Sequence, residues 1–194
     1  MIAQGDVMKR AGQIVALGDS LTAGYGIGTG AAYPAALQRR LDENGYEYTV
    51  VNAGVSGDTS ARAAPRYASH LHAEVRILIV ALGVNDGLRH VPTRDLEANL
   101  AGIIEAAQRR RIAVLLCAME APPVYGAAYL AAFHRVYEDL ARKYNVPLVP
   151  FVMLKVLTDP RLVLPDRMHP NGAGAGAIAD QIWPYLIPLL RRIA

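Results

Sequence analysis

Short apolar runs alternate with longer segments of helical period along this chain. The runs at residues 14–17, 49–52, 76–82, 113–119 and 147–151 have the length and composition of strands buried on both faces. Between them, residues 33–43, 59–70, 95–110, 129–144 and 173–192 carry the spacing or composition of helices. In 95–110, for example, Leu96, Leu100, Ile103, Ile104 and Ala107 fall on one helical face. Such alternation implies right-handed crossovers and a parallel sheet covered on both sides. The expected fold is a three-layer α/β/α sandwich on five strands, with no internal repeat or linker to divide it.

Composition fits this picture: 194 residues, 53% of them hydrophobic, bury one sizeable core and make one domain. The domain is expected over 13–194, with 1–12 as an N-terminal extension. Those first twelve residues lack the apolar core of a signal peptide, and no segment approaches the ~20 apolar residues that span a bilayer. Stable membrane insertion is therefore not expected. A cytoplasmic protein, and a periplasmic or secreted one whose signal has been removed, both fit. The net charge of +3 is scattered. Its densest group, Arg109, Arg110 and Arg111, closes a helix where it complements the dipole, so nucleic-acid binding is not expected. Cys117 is the single cysteine and reads as buried filler, with no internal disulfide. In the last helix, Ile182, Trp183, Leu186, Leu189 and Leu190 most simply pack on the sheet. A monomer follows, with a dimer contact through that helix as the alternative.

Parallel strands bring their C-terminal ends to one edge of the sheet, which makes three short blocks informative. Ser20, in Gly18-Asp19-Ser20-Leu21, follows the first apolar run, Gly54 to Asp58 follows the second, and Asn85, in Gly83-Val84-Asn85-Asp86, follows the third. His169, in Asp166-Arg167-Met168-His169-Pro170, lies before the last helix, where a loop can return to the same rim. Asp166, three residues away, can meet the imidazole on one turn.

Each residue type has a chemical reason to be there. A serine hydroxyl is a poor nucleophile until a base takes its proton, and imidazole is the usual base. A carboxylate fixes the imidazole tautomer and stabilises the imidazolium. Ser20, His169 and Asp166 fill these roles. The developing oxyanion then needs donors, for which the Ser20 and Gly57 backbone N–H groups and the Asn85 amide are candidates. Asp58 and Asp86 compete with Asp166 as the orienting acid, although their blocks are better explained by backbone bracing. Asp19 is expected to brace its own turn.

Other motifs weaken on inspection. His70 and His72 have no Cys or acidic partners at ligand spacing, so a solvated helix end is expected and no metal. His90 and His134 are weak candidate bases. His134, beside Phe133 and Tyr137 on a helix, is expected in a packing or surface role. Gly26, Gly28 and Ala31 loosely fit a dinucleotide fingerprint, but Gly18-Asp19-Ser20 occupies the turn where those glycines belong. A non-catalytic carbohydrate- or lipid-binding module is opposed by the intact Ser20, Asn85 and His169.

The ordered blocks resemble those of the SGNH (GDSL-type) lipases and esterases, named for serine, glycine, asparagine and histidine. Gly18 to Gly26 resembles the first block, Asn52 to Thr59 the second, Gly83 to Asp86 the third and Asp166 to Pro170 the last, so the resemblance covers nearly the whole chain. Ser56-Gly57-Asp58-Thr59-Ser60, Asn85-Asp86-Gly87-Leu88-Arg89 and Asn145 to Phe151 are most similar to the bacterial arylesterase, thioesterase and lysophospholipase branch. The resemblance implies a flavodoxin-like sheet and a serine esterase acting on small-molecule esters, with Ser20 as nucleophile, Asp166 and His169 completing a triad, and Gly57 and Asn85 as oxyanion donors. It also implies no metal or organic cofactor. Arg167 departs from the pattern, standing where the last block commonly has glycine.

The pocket walls are expected from residues 87–92 and 121–129, with Leu88, Pro122 and Tyr125 as substrate contacts and Gly87 and Gly126 permitting movement. An apolar lining there suits acyl and aryl groups of short to medium length better than a sugar.

Overall fold

The computed structural model describes residues 11–193. Five parallel strands form the sheet: β1 (Gly12–Gly18), β2 (Tyr48–Gly54), β3 (Val75–Ala81), β4 (Ala113–Cys117) and β5 (Leu148–Val149), in the order β2-β1-β3-β4-β5. This is the flavodoxin-like order, whose direction reverses between β1 and β3 and opens a crevice at their carboxyl ends. The expected α/β sandwich is thus observed. Ile14 to Leu17 in β1 and Ile77 to Val80 in β3 are wholly buried, as central strands covered on both faces should be. Of the expected 1–12 extension, the first ten residues lie outside the described ones, and Gly12 begins β1.

Long helices make the outer layers. α2 (Tyr33–Glu43) packs against α8 (Gly172–Ile193), and Arg40 pairs with Asp180 across them. α5 (Thr93–Arg109) packs against α6 (Ala127–Tyr144) and the short α3 (Ser60–Ala63). The apolar face foreseen on α5 is buried throughout. Three further short helices follow strands: α1 (Ser20–Ala23), α4 (Val84–Leu88) and α7 (Leu154–Thr158). None of the three is long enough to show a period.

Two helix expectations meet proline with different outcomes. The expected single helix over 59–70 is instead α3 followed by a 3-10 turn, Tyr67–His70. Pro65 explains the break, because it has no N–H and its ring collides with the preceding turn. Helix α8 continues through Pro184 and Pro188. Both prolines are exposed, so the carbonyls they leave unpaired face water, while Ile182, Leu186, Leu189 and Leu190 fill the core. Cys117 is fully buried, and burial pushes its thiol up to about 12. Among the described residues, no helix is long and apolar enough to cross a membrane.

Candidate active site

At the end of β1 the chain turns sharply into α1, and Gly18 makes that turn feasible. A Cβ there would collide with the Thr22 hydroxyl and crowd the Ala81 carbonyl at 2.9 Å. Asp19 caps α1, its Oδ1 accepting from the Leu21 N–H at 3.0 Å. The Ser20 N–H, at the first position of the helix, has no intrahelical acceptor. Asn52 fixes α1 to the end of β2, donating from Nδ2 to the Thr22 carbonyl (2.7 Å) and accepting from the Gly54 N–H (3.0 Å).

His169 arrives from the far end of the chain. The Leu164 N–H donates to the His169 carbonyl at 2.8 Å, and Val163 bridges Pro170, closing a small loop. Inside it, Asp166 Oδ1 accepts from the Met168 and His169 N–H groups at 2.9 and 3.0 Å. Asp166 Oδ2 lies 2.8 Å from His169 Nδ1, and His169 Nε2 lies 3.1 Å from Ser20 Oγ. The two backbone donors, then the imidazole, hold the Asp166 carboxyl down at about 2. It therefore stays ionised beside the ring. A hydroxyl, an imidazole and a carboxylate stand in series, which allows the hydroxyl proton to pass to the ring.

The competing acids are engaged elsewhere. Asp86 accepts from the Ser60 N–H (2.8 Å) and Oγ (2.6 Å), and Asp58 accepts from Arg66 Nε at 2.6 Å. Asp19 is fully buried, and burial pushes its carboxyl up to about 7, with the Asp86 and Asp58 charges adding to the shift. Its Oδ2 faces Asn85 Nδ2 at 3.4 Å.

Ser20, Gly57 and Asn85 all border one cleft of about 570 Å³. Gly57 sits at φ +81°, a left-handed conformation suited to glycine, and its N–H has no partner among the described residues. Leu88, Pro122, Pro123, Phe151, Met153 and Leu157 supply apolar walls. Tyr125 is not one of them. Its hydroxyl donates to the Leu88 carbonyl at 2.8 Å and its ring stacks on His90 with centroids 4.3 Å apart, so it braces the wall from behind. Gly87 lies inside α4, where a Cβ would press on Ala121 at 3.0 Å and on Phe133 at 3.3 Å. Tyr129 ties the same segment down by donating to the Val91 carbonyl at 2.7 Å.

A model of the GDSL-like lipase/acylhydrolase family matches residues 16–177. The chain belongs to that family. It is 39% identical to the esterase TesA of Pseudomonas aeruginosa over 91% of this chain and 89% of the relative. It is 37% identical to the thioesterase 1/protease 1/lysophospholipase L1 of Escherichia coli K12, over 91% of this chain and 84% of the relative. A crystal structure of TesA superposes with a TM-score of 0.86 at 38% identity, covering 91% of this chain and 99% of that one.

This GDSL-family hydrolase contains site residues that the sequence reading missed. The Tyr25 ring lies 4.4 Å from the His169 ring, and only its place in the first block pointed to it. Arg89 brings both terminal nitrogens to 3.2 Å from the Gly57 carbonyl, and Arg66 reaches the carbonyls of Gly18 and Ala53. Among the described residues, Glu120 is the single carboxylate on the cleft wall, its Oε1 lying 2.6 Å from His134 Nδ1. That hydrogen bond raises the basicity of His134, which also lies 3.4 Å from Glu138. His134 is thus a surface residue as expected, but one hydrogen-bonded to Glu120. Arg167 occupies φ +58°, which explains why glycine suits that position. His70 ends the 3-10 turn, and among the described residues no group of three or more His, Cys, Asp or Glu is arranged to hold a metal ion.

Proposed function

We propose that this hydrolase cleaves carboxylic esters whose acyl group is uncharged, both aryl esters and those of short- to medium-chain acids, through an acyl-enzyme on Ser20. Ser20 Oγ attacks the carbonyl carbon while His169 Nε2 takes its proton. Asp166 holds the ring and balances its charge, and the Ser20 and Gly57 N–H groups with the Asn85 amide receive the oxyanion. The C–O bond then breaks, His169 returns the proton to the departing alcohol, and water repeats the sequence on the acyl group. The observation that carries this reading is the unbroken series from Ser20 Oγ to His169 to Asp166 opening onto an apolar cleft.

The walls support the substrate class. Leu88 and Pro122 offer apolar surface, and among the described residues no Lys or Arg borders the cleft to receive a carboxylate, whereas Glu120 would repel one. Thioesters and lysophospholipids fit the same acyl chemistry, and the names of the relatives support including them. The buried face of α8 supports a monomer.

Hydrolysis of a p-nitrophenyl ester series from acetate to palmitate, run beside Ser20→Ala and an acyl-CoA series, tests the proposal. Ser20-dependent release, strongest for short to medium chains, is expected. Activity confined to acetylated sugars would overturn the substrate reading, and full activity in Ser20→Ala would overturn the mechanism.

A further inference from the structure

The two backbone donors of the proposed oxyanion site stand on different segments: Ser20 follows β1 and Gly57 follows β2. The strands stay paired to their ends, where Gly18 faces Gly54, and the Val55 N–H donates to the Gly18 carbonyl at 3.0 Å. Beyond that point the regular ladder no longer sets the distance between the two loops.

Besides Asn52, which ties Thr22 to Gly54, Arg66 spans the gap. Arg66 stands between α3 and the 3-10 turn. Its Nη2 donates to the Gly18 carbonyl at 2.9 Å, two residues before Ser20. Its Nη1 donates to the Ala53 carbonyl at 2.7 Å, and its Nε to Asp58 Oδ2 at 2.6 Å, one residue after Gly57. Asp58 in turn donates its own N–H to the Val55 carbonyl at 3.1 Å, closing the turn that holds Gly57. The Asp58 side chain is 3% exposed and that of Arg66 21%, so water competes little for these bonds. Arg62 also approaches Asp58, at 3.7 Å, but its side chain is 66% exposed.

We propose that Arg66 is a positioning residue that sets the spacing between the nucleophile turn and the Gly57 donor. A planar guanidinium serves three acceptors at fixed angles, which the point charge of a lysine cannot reproduce. Because Asp58 balances its charge, Arg66 acts through geometry. The donors must fit the tetrahedral oxyanion more closely than the ground-state carbonyl, so loosening the clamp reduces kcat and leaves KM nearly unchanged. A misplacement of about 1 Å at such a site costs roughly 10²-fold. This inference rests on the proposed roles of Ser20 and Gly57.

The test uses the whole protein in five forms: wild type, Arg66→Lys, Arg66→Ala, Asp58→Asn and, as a control, Ser20→Ala. Each is assayed for p-nitrophenyl butyrate hydrolysis and for inhibition by an alkyl boronic acid, which forms a tetrahedral adduct on serine. In Arg66→Lys and Arg66→Ala, kcat is expected to fall by roughly 10- to 100-fold with KM within about twofold. The inhibition constant should rise in step with the loss of kcat/KM, and guanidinium ion, but not equal sodium chloride, should restore part of the activity of Arg66→Ala. If the alanine variant does not fold, Asp58→Asn, which keeps the side-chain volume and weakens one charge-assisted bond, carries the test with a smaller loss in the same direction. Unchanged boronic acid affinity, or a raised KM at full kcat, would reduce Arg66 to a contributor to stability. Full hydrolysis by Ser20→Ala would instead overturn the proposed mechanism itself, so the two failures are distinguishable.

Discussion

Ser20 is held from below by buried bonds between distant segments, whereas His169 is held from within its own loop. On the serine side, Asp19, Asp58 and Asp86 are at most 2% exposed; Asp19 caps its own helix at Leu21 but also meets Asn85, while Asp58 and Asp86 engage Arg66 and Ser60. On the histidine side, Asp166 reaches only two and three residues along the chain, and its side chain is 39% exposed. The electrostatic outcomes are opposite. Burial lifts Asp19 to about 7, while hydrogen bonds hold Asp166 at about 2. A buried carboxylate gives rigidity at a cost in stability, and an exposed one with backbone donors stays ionised cheaply. The half that carries the proposed oxyanion donors is built the first way, and the half that carries the proposed base is built the second.

The largest expected break in that comparison is on the exposed side. Asp166→Asn preserves shape but removes the acceptor that fixes the His169 tautomer, and turnover of a p-nitrophenyl ester should fall by roughly 10³- to 10⁴-fold. A loss below tenfold would detach Asp166 from the mechanism. Next comes the buried side: Asn85→Ala should lower kcat by about 10²- to 10³-fold, as one oxyanion donor is worth. Steady-state kinetics with circular dichroism as a folding control decides it, and a smaller loss than tenfold removes Asn85 from the site.

The third break concerns stability. The folded-state value of Asp19 lies above that of an ordinary unfolded aspartate, so the folded protein keeps a proton that the unfolded chain releases. Its contribution is most favourable below about pH 4 and declines as pH rises towards 7. Asp19→Asn retains the helix cap at Leu21 but turns a donor towards Asn85 Nδ2, so its stability relative to wild type should start from a fixed loss and improve across that window by up to about 4 kcal/mol. Urea unfolding at pH 4.5 and 7.5 measures the gap, and a gap that is constant with pH would contradict the burial argument. The smallest effect is at Arg167, held at φ +58°. Relief of left-handed strain, partly offset by glycine's greater unfolded-state freedom, should make Arg167→Gly about 0.5–1 kcal/mol more stable in thermal unfolding.

Legibility in the sequence followed the same division. Buried central strands and the long helices α2, α5, α6 and α8 were visible because their periodicity is strong. So were the residues standing at the ends of strands, since a parallel sheet gathers those ends at one rim. Helices α1, α4 and α7 were invisible, having four or five residues and hence no repeat. Pro65 did carry a breaking signal that the apolar spacing of 59–70 obscured. Arg66 and Arg89 act through backbone carbonyls up to 48 residues away, which no local pattern encodes. Tyr125 read as pocket wall because its ring suits one, but its hydroxyl found the Leu88 carbonyl behind that wall.

Ser20, activated by His169, is the proposed nucleophile on which the mechanism turns. Labelling with a fluorophosphonate, followed by peptide mass analysis and residual-activity measurement, tests it most directly. One adduct per chain on Ser20, loss of activity in proportion to labelling, and no adduct in Ser20→Ala are expected. Inactivation with Ser20 unmodified, or equal labelling of Ser20→Ala, would contradict that role.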